Sequence, residues 1–171
     1  MRGLSRAIAL AGALLLSAAP AASAFFETQY QWRINRVSNP YQTAGPWNIC
    51  GEAEGGSTGA TVGCSRAFSV ANTVSGTLGV SDGILSATLG YSVTATTTVT
   101  PSGSFPVPRH RLGVAEWRAE YQTRAVHQRL YKRVWVCGRG GCVPESWQAT
   151  NHYTTAYANR YAYPRFRAVI H

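Results

Sequence analysis

Residues Ser69–Thr100 read SVANTVSGTLGVSDGILSATLGYSVTATTTVT, and across the wider span 67–108 Asp82 is the sole charged residue. Asp82-Gly83 has the chemistry of a two-residue hairpin turn, whose positive φ angles favour that dipeptide. Placing the turn there opposes Val80 to Leu85, Leu78 to Ala87, Gly76 to Leu89, Val74 to Tyr91, Asn72 to Val93 and Val70 to Ala95. The other face then pairs Thr77 with Thr88, Thr73 with Ser92 and Ser69 with Thr96. Period-2 alternation agrees with this register. The expectation is one long amphipathic hairpin with an apolar face and a Ser/Thr/Gly face. A solvated strand face usually carries Lys or Glu, and this one carries neither.

Outward from that stretch, the N-terminus reads as a secretory signal. Arg2 and Arg6 precede the apolar run 7–16, and Ala22-Ser23-Ala24 is an A-x-A cleavage site. The expected division is a signal peptide at 1–24 and a single all-β domain at 25–171, exported to the extracellular space. Loss of Arg2 and Arg6 lowers the formal charge from +9 to +7. Most of the excess lies beyond residue 108, which favours anionic partners. An anionic polymer, a lipid surface or another exported protein are the expected partners, with oligomerisation an option. Export argues against nucleic acid.

Four cysteines suit an oxidising compartment. Three pairings are open. The favoured one is local, Cys50–Cys64 around a Gly/Ser/Thr-rich loop and Cys137–Cys142 around a hairpin tip. Each would stabilise by about 2–3 kcal/mol in the chain-entropy description. The C-x13-C and C-x4-C spacings lack nearby histidines and make poor zinc sites, so no metal or cofactor is expected.

Phe26, Thr28, Tyr30, Trp32 and Ile34 alternate with polar residues as a first strand, and 37–66 reads as loop. The segment 112–137 carries aromatic and β-branched residues in strand phase, with a bulge or bend expected near Val126–Leu130 where the phase is mixed. A helix over 116–131 is the runner-up, since Ala, Glu, Gln and Arg are good helix formers. Tyr153, Tyr157, Tyr161 and Tyr163 share one face of a last long strand that Pro164 ends, before a short strand at 166–170. That aromatic row reads first as sheet core, and otherwise as a platform for sugars or a membrane interface. The architecture expected is an elongated antiparallel sheet or thin sandwich with long strands.

Gly45-Pro46-Trp47, Cys50, Cys64-Ser65, the segment LGYSVTATTTVT, the long Trp/Tyr/Arg strand and the Tyr-rich tail together resemble a group of small secreted bacterial β-rich proteins that carries no assigned activity. The uncharged Ser/Thr hairpin framed by long strands also resembles the membrane-inserting module of aerolysin-type β-pore-forming toxins. That second likeness implies a hairpin of Val70, Val74, Leu78, Val80, Asp82, Gly83, Leu85, Leu89, Tyr91 and Val93 that enters a membrane.

Catalysis finds little support. The histidines are scattered, and no H-E-x-x-H or G-x-S-x-G signature occurs. Glu116 and Glu120 fall on one strand face, where ion pairing with basic neighbours is the first reading. The run Thr94–Thr100 is read as ordinary strand residues. The conclusion from sequence is a non-catalytic exported protein that works by binding or assembly. Arg109, Arg111, Arg124, Arg129, Lys132 and Arg133 are the candidate contacts to an anionic surface. The alternative is a pore-forming protein using the 70–100 hairpin.

Overall fold

The computed structural model describes residues 25–100, 103–138 and 140–171; the expected signal segment lies outside them. Its elements in chain order are β1 (Phe25–Val37), β2 (Tyr41–Ala44), β3 (Asn48–Glu54), β4 (Ala60–Gly63), β5 (Phe68–Ala71), β6 (Thr73–Gly76), α1 (Asp82–Leu89), β7 (Thr96–Val99), β8 (Ser104–Val107), β9 (Leu112–Gly138), β10 (Gly141–Pro144) and β11 (Gln148–Ile170). The protein is all-β, and its axis is β9, a strand of 27 residues. At roughly 3.4 Å per residue it extends up to about 90 Å. The helix-forming residues of 116–131 do not prevail, because strands are hydrogen-bonded along both edges of β9. β3, β2 and β1 run end to end along one edge, and β11 and β10 along the other.

Opposed residues of an antiparallel pair share a face, and alternate residues switch faces. On β9 the odd positions from Gly113 to Trp135 define face A and the even positions define face B. The segment 60–107 covers parts of both. The β4–β8 pair lies on face A, burying Val62 and Val107 against Ala115. The β5–β7 pair follows it, packing Val70 and Val99 on Ala119 with Phe68 stacked on Trp117. β6 then runs along the outer edge of β11 at Ala156–Asn159 and carries the chain around to face B. There α1 and its flanks bury Val80, Leu85 and Val93 against Val126 and Ala158.

The Asp82-Gly83 turn is not formed. Asp82 and Gly83 open α1 instead, with Ser81 as N-cap accepting from the Ile84 N–H at 3.4 Å. Gly90 closes the helix in the left-handed conformation, φ 75°, which glycine adopts without strain. Leu85 and Leu89 satisfy strand and helix periods alike, so alternation could not separate them; the cap residues at both ends could. The arms of the expected hairpin do pair as β5–β7, with Val70 opposite Thr97 and not Ala95. The two-residue slip keeps every side chain on its expected face. The apolar set of the expected hairpin is inside: Val74, Leu78, Leu89 and Tyr91 pack around the same cluster as Leu85.

Gln128 fixes this module to the sheet. It is 1% exposed, accepts from the Gly79 and Val80 N–H groups at 2.9 and 3.1 Å, and donates to Thr77 O.

Further differences are local. Residues 37–66 hold β2, β3 and β4, and β8 lies in the Pro-rich link. β11 continues through Pro164, which is paired to Ala119. Beyond the short β6 pairing, β11 is a sheet edge, where proline is tolerated. The irregularity expected near 126–130 is present on the partner strands, between Ile34 and Arg36 in β1 and between Ala149 and Tyr153 in β11. Both favoured disulfides, Cys50–Cys64 and Cys137–Cys142, are formed.

A capped helix and a hairpin turn respond differently to substitution. Ser81→Ala should cost about 1 kcal/mol through loss of the cap. Leu85→Ala should cost about 2–5 kcal/mol by leaving a cavity. Urea unfolding checks both, and a silent Ser81→Ala would contradict the capped helix. Gln128→Leu should cost about 2–4 kcal/mol, because two buried backbone N–H groups lose their acceptor.

Candidate functional site

The segment 60–107 is too short to cover both faces of β9 along its whole length. Face A is left open from about His127 to Trp135, where β1, β9 and the start of β11 form a bare ribbon. Register assembles a set of side chains there. Gln29 lies opposite Arg133, Gln31 opposite Tyr131, and Arg33 opposite Arg129. On the other edge Tyr153 lies opposite Arg129, Thr155 opposite His127 and Tyr157 opposite Ala125.

These side chains organise as arginines on aromatic rings. The Arg33 guanidinium lies 5.0 Å from the Tyr131 centroid and 4.8 Å from Trp147. Arg133 lies 4.8 Å from Trp135 and 4.6 Å from the same Trp147 ring. Arg129 lies 4.9 Å from Tyr153. Each contact is worth about 0.5–1 kcal/mol at an exposed site. Amide oxygens hold the rest: Gln31 Oε1 accepts from Arg33, Gln29 Oε1 from Arg133 at 2.9 Å, and Thr150 O from Arg129 at 2.7 Å.

Stacking uses the face of a guanidinium and leaves much of its N–H edge free for a planar anion. Among the described residues the ion pairs are Glu120 with Arg118 and Arg165, and Glu116 with Arg167, all at the opposite end of β9. Arg33, Arg129 and Arg133 take part in none of these ion pairs, and the carboxylate that shares face A with them is Glu27, opposite Trp135. Two donors within the cluster, Arg133 Nε and Trp135 Nε1, are buried without a partner.

The expected contacts divide over the molecule. Arg129 and Arg133 belong to this cluster. Lys132 projects from face B, near Tyr30. Arg124 acts on Tyr91 under the α1 module. Arg109 and Arg111 sit beside the β8–β9 turn, at the far end of the sheet. Arg33, Tyr131, Trp135 and Trp147 complete the cluster and were not singled out from sequence. Their signal was the shared phase of Arg129, Tyr131, Arg133 and Trp135; the β1 register that adds Arg33 was missing.

The tyrosine row does not form a sheet core. Tyr153 and Tyr157 are 63% and 43% exposed on open face A. Tyr161 packs with Tyr121 in the core. The extra residue Ala162 switches Tyr163 to face B, where it is 40% exposed. Also on face B, Trp47 lies against Arg118 and Arg167 at 4.7 and 4.2 Å. Those arginines are already committed to Glu120 and Glu116.

No family model, characterised protein or solved structure matches the chain. Among the described residues no group of three His, Cys, Asp or Glu side chains is placed to hold a metal ion. No helix there is long and apolar enough to cross a membrane.

Burial raises the Tyr91 hydroxyl above its ordinary pKa of 10.0, against the opposing pull of Arg124 and Arg160. Burial also raises Tyr121, and it raises Tyr161 with a further push from Tyr121. The neutral phenol is favoured in the folded state. This stability is complete below pH 10 and is lost as pH rises through the higher folded values. The melting temperature should therefore fall above pH 10. Tyr91→Phe should be near neutral at pH 7, because that buried hydroxyl has no partner. Its alkaline decline should be shallower than the parent's; an identical decline would count against the buried phenol.

Proposed function

We propose that this is an exported, non-catalytic binding protein whose open face A takes an anionic polymer of the cell surface. One observation carries the reading: three guanidiniums are stacked on aromatic rings, and none of them is ion-paired among the described residues. Arginines arranged this way keep bidentate donors for carboxylate, sulfate or phosphate groups. The exposed rings of Tyr153 and Tyr157 extend the strip with surfaces on which a sugar ring can stack. The bare strip continues for some ten residues of β9, about 30 Å, which suits a chain-like ligand better than a single small anion.

The two disulfides fit an oxidising compartment and so support export. A non-catalytic role agrees with the state of Glu116 and Glu120, whose ion pairs engage the carboxylates that sequence spacing brought forward. Membrane insertion of 70–100 is the weaker reading. It would require α1 to unwind and Leu85, 0% exposed, to leave its cluster.

Retention on a sulfated or uronic-acid polysaccharide should weaken as salt rises, because exposed charges are screened over about 8 Å at physiological ionic strength. Arg33→Gln with Arg133→Gln should lower affinity at least tenfold, the loss of one or two charge-assisted hydrogen bonds of about 1.5–3 kcal/mol each. Arg109→Gln with Arg111→Gln should change it far less. Vesicles of anionic lipid form the second arm. Binding to vesicles alone, or equal loss in the two double variants, would remove face A as the polymer site.

A further inference from the structure

Face A carries one more cation than strand alternation allows. In β1, Trp32 and Ile34 pack on the face B cluster, and strict alternation would place Arg36 beside them. Val37 packs there instead. Ile34 and Val37 bury on the same face although an odd number of steps separates them, which an unbroken strand does not permit. The register shows the cause. Ile34 lies opposite Gln128, Arg36 opposite His127 and Val37 opposite Val126, so Asn35 is an extra residue. A bulge of this kind re-aims the side chains beyond it. Arg36 is thereby turned to face A, in the row of His127 and Thr155, where it is exposed. The Tyr131 hydroxyl donates to Asn35 Oδ1 at 3.4 Å, so the bulge is tied to the ring on which Arg33 lies.

We propose that Arg36 is a second anchor of face A, and that the ligand is a linear polyanion long enough to reach it from Arg133. This rests on the function proposed above and narrows its ligand. Arg36 stands one row beyond Arg33 and Arg129, with His127 opposite it and Thr155 opposite His127. It takes part in none of the ion pairs among the described residues. Glu27 shares face A, but at the other end of the strip, opposite Trp135. The bulge also serves the core, because it brings Val37 inside and keeps a charge out of the cluster around Val126. What it adds for binding is a guanidinium on the open side, with paired N–H donors for a carboxylate or sulfate group.

Spacing sets the length of the ligand. From the Arg133 row to the His127 row the strip measures roughly 20 Å, at about 3.4 Å per residue. Guanidiniums stand along it in sequence: Arg133, then Arg33 with Arg129, then Arg36. No compact anion contacts the first and the last together. A chain with acidic groups along its length does, and once one group is bound the next is presented at high effective concentration. Affinity therefore rises with ligand length, and the last part of that rise depends on Arg36.

Titration of residues 25–171, with disulfides intact, against two length series tests this: oligogalacturonates and heparin-derived oligosaccharides, each from dimer to dodecamer. The parent's affinity should climb at least tenfold along a series it binds. Arg36→Gln should lower affinity for the longest oligomers about tenfold and for the dimer by less than about twofold, because the dimer is too short to join the two anchors. Thermal melts should be unchanged, since Arg36 is exposed. Arg36→Lys should recover only part of the loss, because an ammonium lacks the paired donors. Equal loss at every length would make Arg36 a general attractor and overturn the second anchor. So would long oligomers indifferent to Arg36→Gln but weakened by Arg33→Gln with Arg133→Gln, a result that leaves the function standing. Long oligomers that ignore all three substitutions, or a parent that binds neither series, would retire the function and this proposal together.

Discussion

The hydrogen bonding of both edges of β9 is the constraint on which the rest depends. Its 27 residues, the 23 of β11 and the 13 of β1 absorb much of the chain in a single layer. Each residue added to a long strand adds two faces to cover, and the covering must come from what is left. That remainder is the segment 60–107, which fills face A at one end, passes around the edge at β6 and fills face B in the middle. Three separate clusters result instead of one continuous core. The far end of the sheet is bare on both sides as a matter of material.

A bare β ribbon is a hazard, because open edges and apolar faces template association. On face A, arginines laid over Trp147, Tyr131 and Trp135 cover the aromatic surface with groups that remain hydrated at their edges. They act as a thin second layer made of side chains. The same arrangement that protects the ribbon leaves cationic donors pointing outward, so the stabilising device and the candidate binding chemistry are one set of atoms. The bulge at Asn35 interrupts the open edge of β1, and Tyr131 donates its hydroxyl to the displaced Asn35 side chain at 3.4 Å.

The strand plan was largely legible in the sequence. Aromatic and β-branched residues in period-2 order marked β1, β9 and β11, and the small spacings within each cysteine pair marked the two disulfides. In the Ser69–Thr100 stretch most of the apolar residues are inside as expected, but the turn is absent and the single apolar face is split, with Val70 on face A and Val74 to Val93 on face B. Asp-Gly suits a hairpin tip, but Ser81 before it and Gly90 after it suit helix caps, and burial of Leu85 settles the competition in favour of the helix. The tyrosine row failed for a different reason. Tyr153 and Tyr157 fall on the uncovered part of face A, and a single extra residue, Ala162, reverses the face of Tyr163, an insertion that no alternation count registers. The functional face was legible only by halves, since Arg33 and Arg133 lie a hundred residues apart and only the β1–β9 register joins them.

The way segment 60–107 wraps the sheet also bears on the membrane reading. A deployable hairpin must be held weakly and at one place. Here both arms are fixed separately: β5 and β7 pack on Ala119 across face A, and the α1 module packs on Val126 across face B. Gln128 engages the backbone at Thr77, Gly79 and Val80 between them. Release would have to break contacts on two opposite faces and strip β6 from β11, which is close to unfolding the domain. The uncharged Ser/Thr composition that suggested insertion has a simpler cause. The segment crosses from one face to the other around a sheet edge, so small polar residues let its backbone lie close to β11, as at Gly76, where an added Cβ would press on Thr155 O.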